Sequence, residues 1–227
     1  MNNWLRTVAV ALLITSGVSG LQAQEQKKTE NQEAEYTRVI TQRADKIVVT
    51  LGIADQEKAA KVRDIIANQY RSLNDLQEEK KAKVKSLKEE AGNDKATVEA
   101  KMKKVEEAQD KKISKLHDKY ISKLSKELNE EQVAKVKDGM TFNVLPITYK
   151  GYLEMLPSLT EKQKAQILAY LTEAREHAID AESAEKKHWW FGKYKGRINN
   201  YLVAEGIDTK TAREIWEKKL KERQQAK

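Results

Sequence analysis

From Gly52 to Gly139 the chain contains one glycine, Gly92, and no proline, and it is rich in Lys, Glu and Ala. Such residues lose little freedom in a helix, whereas glycine and proline interrupt one. The stretch is therefore confined to long helices with a single turn, Gly92-Asn93-Asp94, in which Asp94 can cap the second helix. The helix over 55–90 presents Val62, Ile66, Gln69, Leu73 and Leu76, then Lys80, Lys83 or Val84, and Leu87. The helix over 95–127 presents Val98, Met102, Val105, Gln109, Ile113, Leu116, Tyr120 and Leu124. Both follow the three-and-four spacing of one helical face. Helices joined by so few residues must lie antiparallel, and about 35 residues span about 50 Å. The expectation is a protruding hairpin over about 55–127, weakly packed toward its charged tip, with Lys/Glu runs that are solvated faces.

The flanking segments are placed in the same way. Tyr36, Val39, Ile40, Ala44, Ile47, Val48 and Leu51 mark a helix over 33–50, ended by Gly52, and Asp55 can cap the next. Asn129-Glu130-Glu131-Gln132 and Thr160-Glu161-Lys162-Gln163 each carry a capping residue three positions before Gln, so both read as helix starts. Between them, Met140-Thr141-Phe142-Asn143-Val144-Leu145-Pro146 has the β-branched residues and proline of an irregular or extended crossing segment over 140–146. A short helix over 147–156 stops at Pro157, and a long one over 161–188 buries Ile167, Leu168, Leu171, Ala174, Ala178 and Ile179. Another spans 193–204, Gly206 ends it, and Asp208 caps a last helix anchored by Ile215, Trp216 and Leu220. The fold class is all-α: a long antiparallel hairpin and a C-terminal helical bundle over 129–227, within one domain over 24–227.

The N-terminus narrows where such a protein works. Arg6, the apolar run Val8 to Ile14 and small residues at Gly20 and Ala23 form the pattern of a cleavable signal peptide over 1–23. The run is too short to span a bilayer, which takes about 20 apolar residues, and no other segment is longer. Cleavage is predicted after Ala23, with Gly20 as the alternative, giving a periplasmic or extracellular protein. The chain has no cysteine, which excludes disulfides, Cys-based metal sites and thiol nucleophiles. With 39% hydrophobic and 34% charged residues the core must be thin. Losing residues 1–23 removes Arg6 and no acid, so the formal charge of +8 falls to +7. Export disfavours nucleic acid as the partner of this basic surface and favours anionic polysaccharide, a membrane surface or an acidic client.

One segment departs from the polar helical background. In Lys186-Lys187-His188-Trp189-Trp190-Phe191-Gly192-Lys193-Tyr194-Lys195-Gly196-Arg197, four aromatics fall within six positions, among five Lys and Arg and no acid. Flexible glycines beside aromatic faces would suit stacking on a sugar ring. The alternative is a hydrophobic plug for the core, and most of the rings are expected there, with at least one ring and some basic residues at solvent. The candidate ligand-binding residues are Trp189, Trp190 and Tyr194 for stacking, with Lys193, Arg197 and Asn200 for polar contacts. Lys195 lies off the helical face shared by Lys193, Arg197 and Asn200 and is the weakest member.

Motifs argue against catalysis. The histidines are His117, His177 and His188, and His117 reads as a surface residue of the third helix. Glu173 and His177 are four apart, better explained as a helix ion pair than as metal ligands, since no HExxH or second cluster accompanies them. No phosphate loop or nucleophile elbow is present, and spacing cannot select a glycosidase carboxylate pair among 35 acids. A non-catalytic protein without metal or cofactor is expected.

Two resemblances bear on function. Leu128-x-x-x-Gln132 and Leu159-Thr160-x-x-Gln163 resemble the short motif of LTxxQ periplasmic chaperones, although ordinary capping boxes explain them equally. More broadly, Arg43-Ala44-Asp45-Lys46-Ile47-Val48, the run Val62 to Leu73 and the run Gly192 to Leu202 resemble the bacterial family catalogued as domain of unknown function 3826, over nearly the whole mature chain. That resemblance implies an exported helical protein that binds sugar in connection with polysaccharide breakdown. The family has no established catalytic residues, so none is carried over. The expected function is carbohydrate binding, with acidic glycans among the candidate ligands. The alternatives are a chaperone for unfolded or acidic clients and, less favoured, a polysaccharide-acting enzyme.

Overall fold

A computed structural model describes residues 16–90 and 95–225. Residues 1–15, with Arg6 and the apolar run of the expected signal peptide, and the predicted turn at Gly92-Asn93-Asp94 lie outside the described residues. The described chain forms eight helices and no strand: α1 (Ser16–Val49), α2 (Gln56–Glu90), α3 (Lys95–Glu127), α4 (Glu130–Met140), α5 (Val144–Met155), α6 (Glu161–Ile179), α7 (Ala184–Ala204) and α8 (Thr209–Gln225). Among these residues no helix is long and apolar enough to cross a membrane.

The predicted hairpin is α2 packed along α3. Its base belongs to a first core in which Ile40, Ala44 and Ile47 of α1 meet Val62 and Ile66 of α2, Leu124 of α3 and Val136 and Met140 of α4. Further out, polar contacts replace burial. Gln109 donates to the Leu76 carbonyl at 2.9 Å, and Lys112 bonds Glu79 at 2.6 Å. Leu73 and Leu116, expected near the buried base, are half-buried.

A second core fills the space between α5, α6 and α7, with Leu145, Tyr152, Ile167, Leu171, Phe191, Ile198 and Leu202 inside. Asn129 and Thr160 start α4 and α6 with complete capping boxes, as the sequence predicts. α4 and α6 are clasped by Arg175–Asp138 at 2.9 Å and Lys137–Glu176 at 2.6 Å.

Two expectations are corrected. The segment over 140–146 is not extended, and its irregular part is confined to 141–143. α4 runs to Met140, a turn over 141–143 reverses the chain, and α5 begins at Val144 with Pro146 in its first turn. The reversal uses left-handed backbone at Phe142 (φ 59°) and Asn143 (φ 56°). Asn visits that region readily and Phe does not, and the Phe142 ring is held against His188 with centroids 5.3 Å apart. Proline fits a first helical turn, where amides have no intrahelical partner. The helix predicted over 161–188 breaks instead at Asp180, and α7 starts nine residues before the predicted 193 because the Ser183 hydroxyl accepts from the Lys186 amide. The aromatic segment therefore lies within α7, and Gly192 and Gly196 are helical residues without the flexibility first assigned to them.

Candidate functional site

Along α7, Lys187, Phe191, Tyr194, Ile198 and Leu202 recur at helical spacing and are buried. The same periodicity forces their neighbours outward. Trp189 is 53% exposed, and Trp190 is half-buried. The two rings meet edge-on at 4.9 Å, and Trp190 stacks on His177 of α6 at 4.3 Å with planes 14° apart. Lys193 lies over both indoles, 5.6 Å from Trp189 and 4.9 Å from Trp190, while Lys186 lies 5.6 Å from Trp189. Such placements are cation–π contacts. Neither lysine has a carboxylate partner among the described residues.

The structure thus brings Trp189, Trp190 and Lys193 together. It places the other predicted residues differently. Tyr194 is 6% exposed and packs in the second core. Burial raises its phenol above the usual range, with Glu173 adding to the rise. Arg197 bonds Glu173 at 3.0 Å and stacks 4.4 Å over Tyr170, so it is engaged before any ligand arrives. Asn200 is exposed further along α7, and Asn199 accepts from the Tyr152 hydroxyl at 2.9 Å. The expected Glu173–His177 ion pair is not formed, because Glu173 takes Arg197 and His177 takes Trp190.

Beside the tryptophans, α6 and α7 face the hairpin across a cleft of about 650 Å³. Trp190, His177, Glu176 and Lys186 form one wall, and Leu73, Gln77, Lys80, Asp110, Ser114 and His117 form the other. Asp180, at the break after α6, sits between them. One oxygen of Asp180 lies 2.6 Å from His117 Nδ1, and the other accepts from Gln69 Nε2 at 3.2 Å. The Asp180 hydrogen bond raises the His117 imidazole above its ordinary value, against the opposing effect of burial.

Behind this pair, Lys187 is buried with its ammonium on two carbonyls, Met140 at 3.1 Å and Ile179 at 2.9 Å. These are the last residues of α4 and α6, where the helix dipole favours a cation. Burial nevertheless pushes the Lys187 amine down to about 8. His117, Asp180 and Lys187 are the residues that sequence reasoning missed. His117 read as surface, and Asp180 was hidden inside a helix drawn too long. Ser183, a good N-cap residue, was the available signal for the break. Among the described residues no group of three or more His, Asp or Glu side chains could hold a metal ion.

Residues 37–222 match the model of a family described as a protein of unknown function, DUF3826. The chain belongs to that family. The match spans both cores, the hairpin and the cleft of this DUF3826 protein, in agreement with the resemblance seen in its sequence. No curated protein matches the chain. The two LTxxQ-like stretches are the capping boxes of α4 and α6, and their glutamines also reach Leu51 and Glu205.

Proposed function

We propose that this DUF3826 protein is exported through its N-terminal segment and binds carbohydrate where the tryptophan face of α7 borders the cleft. One observation carries the reading: Trp189 keeps 53% of its surface exposed beside Trp190, with two unpaired lysines over the rings. Large aromatic rings are normally the first to be buried. A sugar offers C–H faces that cover an indole and hydroxyls that bond ammonium, amide and carboxylate groups. The adjoining cleft supplies those groups in mixed charge, from Lys80, Gln77, Asp110 and Glu176. Its volume is that of a small-ligand site, which typically falls at about 300–1,000 Å³. The lysines over the rings favour glycans bearing carboxylates. Recognition of this kind needs no bond cleavage, no cofactor and no nucleic acid.

Affinity electrophoresis through neutral and acidic polysaccharides tests the proposal. Retardation that is lost in the Trp189→Ala, Trp190→Ala double variant supports it. Unretarded migration in every polysaccharide, with suppression of client aggregation, would replace it with the chaperone reading. Sequencing the N-terminus of protein from its native compartment tests export, with Gln24 as the expected first residue.

A further inference from the structure

We infer that the cleft also transfers a proton: His117, held by Asp180, is the base of a β-elimination on a uronate-containing polysaccharide. The inference rests on the carbohydrate-binding reading and goes beyond it and beyond the motif-based expectation of a purely binding protein. His117 and Asp180 are 63 positions apart, so no local motif could contain both.

Their geometry assigns the proton. An ionised carboxylate only accepts, so Asp180 at 2.6 Å fixes the hydrogen of His117 on Nδ1 and leaves the lone pair of the neutral ring on Nε2. Gln69, which is 3% exposed, holds the other Asp180 oxygen and prevents the carboxylate from turning away. The His117 side chain is 24% exposed and Asp180 10%, so the imidazole is the member of the pair that meets the cleft. Its Nε2 has no partner among the described residues.

The surroundings select the reaction. Glycoside hydrolysis commonly uses two positioned carboxylates. Here Asp180 is held by His117 and Gln69, Glu176 bonds Lys137 at 2.6 Å, and Glu182 lies 4.0 Å from Lys80. Among the described residues, that leaves Asp110 alone of the cleft carboxylates without a cation partner. Acyl transfer needs donors for an oxyanion, yet the walls come largely from the interiors of α2, α3, α6 and α7, whose amides are bonded within the helices. Elimination needs less: a base at the proton on C5 of the uronate, and a cation against the carboxylate that acidifies it. Lys80 and Lys186 line the same cleft, and Trp190 with His177 gives the ring a surface. His117 Nε2 takes the C5 proton, the C–H electron pair forms the C4–C5 double bond, and the C4–O bond breaks. The departing oxygen leaves as a hydroxyl, its proton returned by the imidazolium. No water is consumed and nothing is oxidised or reduced.

The experiment incubates the mature protein with polygalacturonate, alginate and heparosan, with dextran as a neutral control, and follows the ultraviolet absorbance of the unsaturated uronate. Product is expected from at least one uronate polymer and none from dextran. His117→Ala should lower the rate about 10²–10⁴-fold while retardation in the same polymer persists. His117→Gln with a circular dichroism spectrum replaces it if the alanine variant does not fold. Asp180 is a positioning residue, so Asp180→Asn should slow the reaction and also move its pH profile. In the native protein the rate should rise as pH passes above the ordinary imidazole range, because the Asp180 hydrogen bond, helped by Glu176, holds the ring protonated against burial and the nearby Lys137. Without that carboxylate the rise should come at lower pH. Polymer that is bound but yields no unsaturated product overturns the elimination and leaves the binding reading standing. Neither binding nor product overturns both. Product that survives His117→Ala overturns the base assignment.

Discussion

The α2–α3 and α6–α7 pairs are both antiparallel helix hairpins, yet they hold together in different ways. Toward the tip of α2–α3, contacts are made by Gln109 on Leu76 and by Lys112 on Glu79, and no apolar side chain described beyond Ala67 in α2 is buried. In α6–α7 an apolar stripe from Phe191 to Leu202 is packed to near-zero exposure, and two tryptophans still remain on the outer face. The first pair is charged where it could have been apolar, which is how a solvated arm looks. The second keeps aromatic surface that its own packing does not require. Residues left over after a core is satisfied are better candidates for function than residues picked by composition.

The comparison can be broken most sharply by stability. Phe191→Ala should cost about 3–5 kcal/mol, the usual range for truncating a buried aromatic. Replacing residues 83–104 with a short turn should leave both cores folded with an unchanged melting temperature. Denaturant melts showing similar losses for the two changes would erase the distinction.

A next largest effect is expected at Lys187. Its folded pKa, about 8, lies below the unfolded value of 10.5. Between these pH values the unfolded chain binds the extra proton, so native stability should rise with pH across that window, by up to about 3 kcal/mol. Subtracting the pH curve of Lys187→Met removes the contribution of the other titrating groups. A flat difference would mean that the two carbonyls hold the amine charged throughout.

Smaller effects separate the two indoles. Trp190→Ala should lower stability by about 1–3 kcal/mol through lost burial, whereas Trp189→Ala should change it by no more than about 0.5 kcal/mol. Both should weaken retardation by glycans. Lys193→Ala should weaken binding to acidic glycans more than Arg197→Ala, since Glu173 already occupies the guanidinium. A last, small change sharpens the picture of α7 as rigid. A Cβ at Gly192 would meet nothing within 4 Å. Gly192→Ala should therefore stabilise the helix by about 0.5–1 kcal/mol in a thermal melt, and a loss would mean that the glycine serves another purpose.

Much of the fold could be read from periodicity and caps. The hairpin, the starts at Asn129 and Thr160 and most of the inward faces of α1 and α6 are local properties of the chain and recur in the structure, whereas Leu168 and Ile215, both expected inside, are exposed. The errors fall where a local rule met a tertiary contact. Pro146 signals a break, but it sits harmlessly at the start of α5, and the reversal comes from left-handed Phe142 and Asn143. Composition located Trp189, Trp190 and Lys193 but could not tell that Tyr194 faces inward, because the helical phase was unknown until the true start of α7 was fixed. His117 and Asp180 were beyond reach for a different reason. Their meaning lies in a pairing across the fold, and each alone looks like a polar residue on a charged helix.

Lys187 and Asp180 together have a mechanical consequence. The ammonium ties α7 to the ends of α4 and α6, and the carboxylate a few residues earlier ties the same junction to α2 and α3. Five helices from both cores thus converge on two oppositely charged side chains, and the walls of the cleft cannot separate without stripping one of them of its partners. Such a site behaves as a stiff template and not as a jaw. Its selectivity comes from the shape it already has, and a ligand that fits it loses little affinity to reordering the protein.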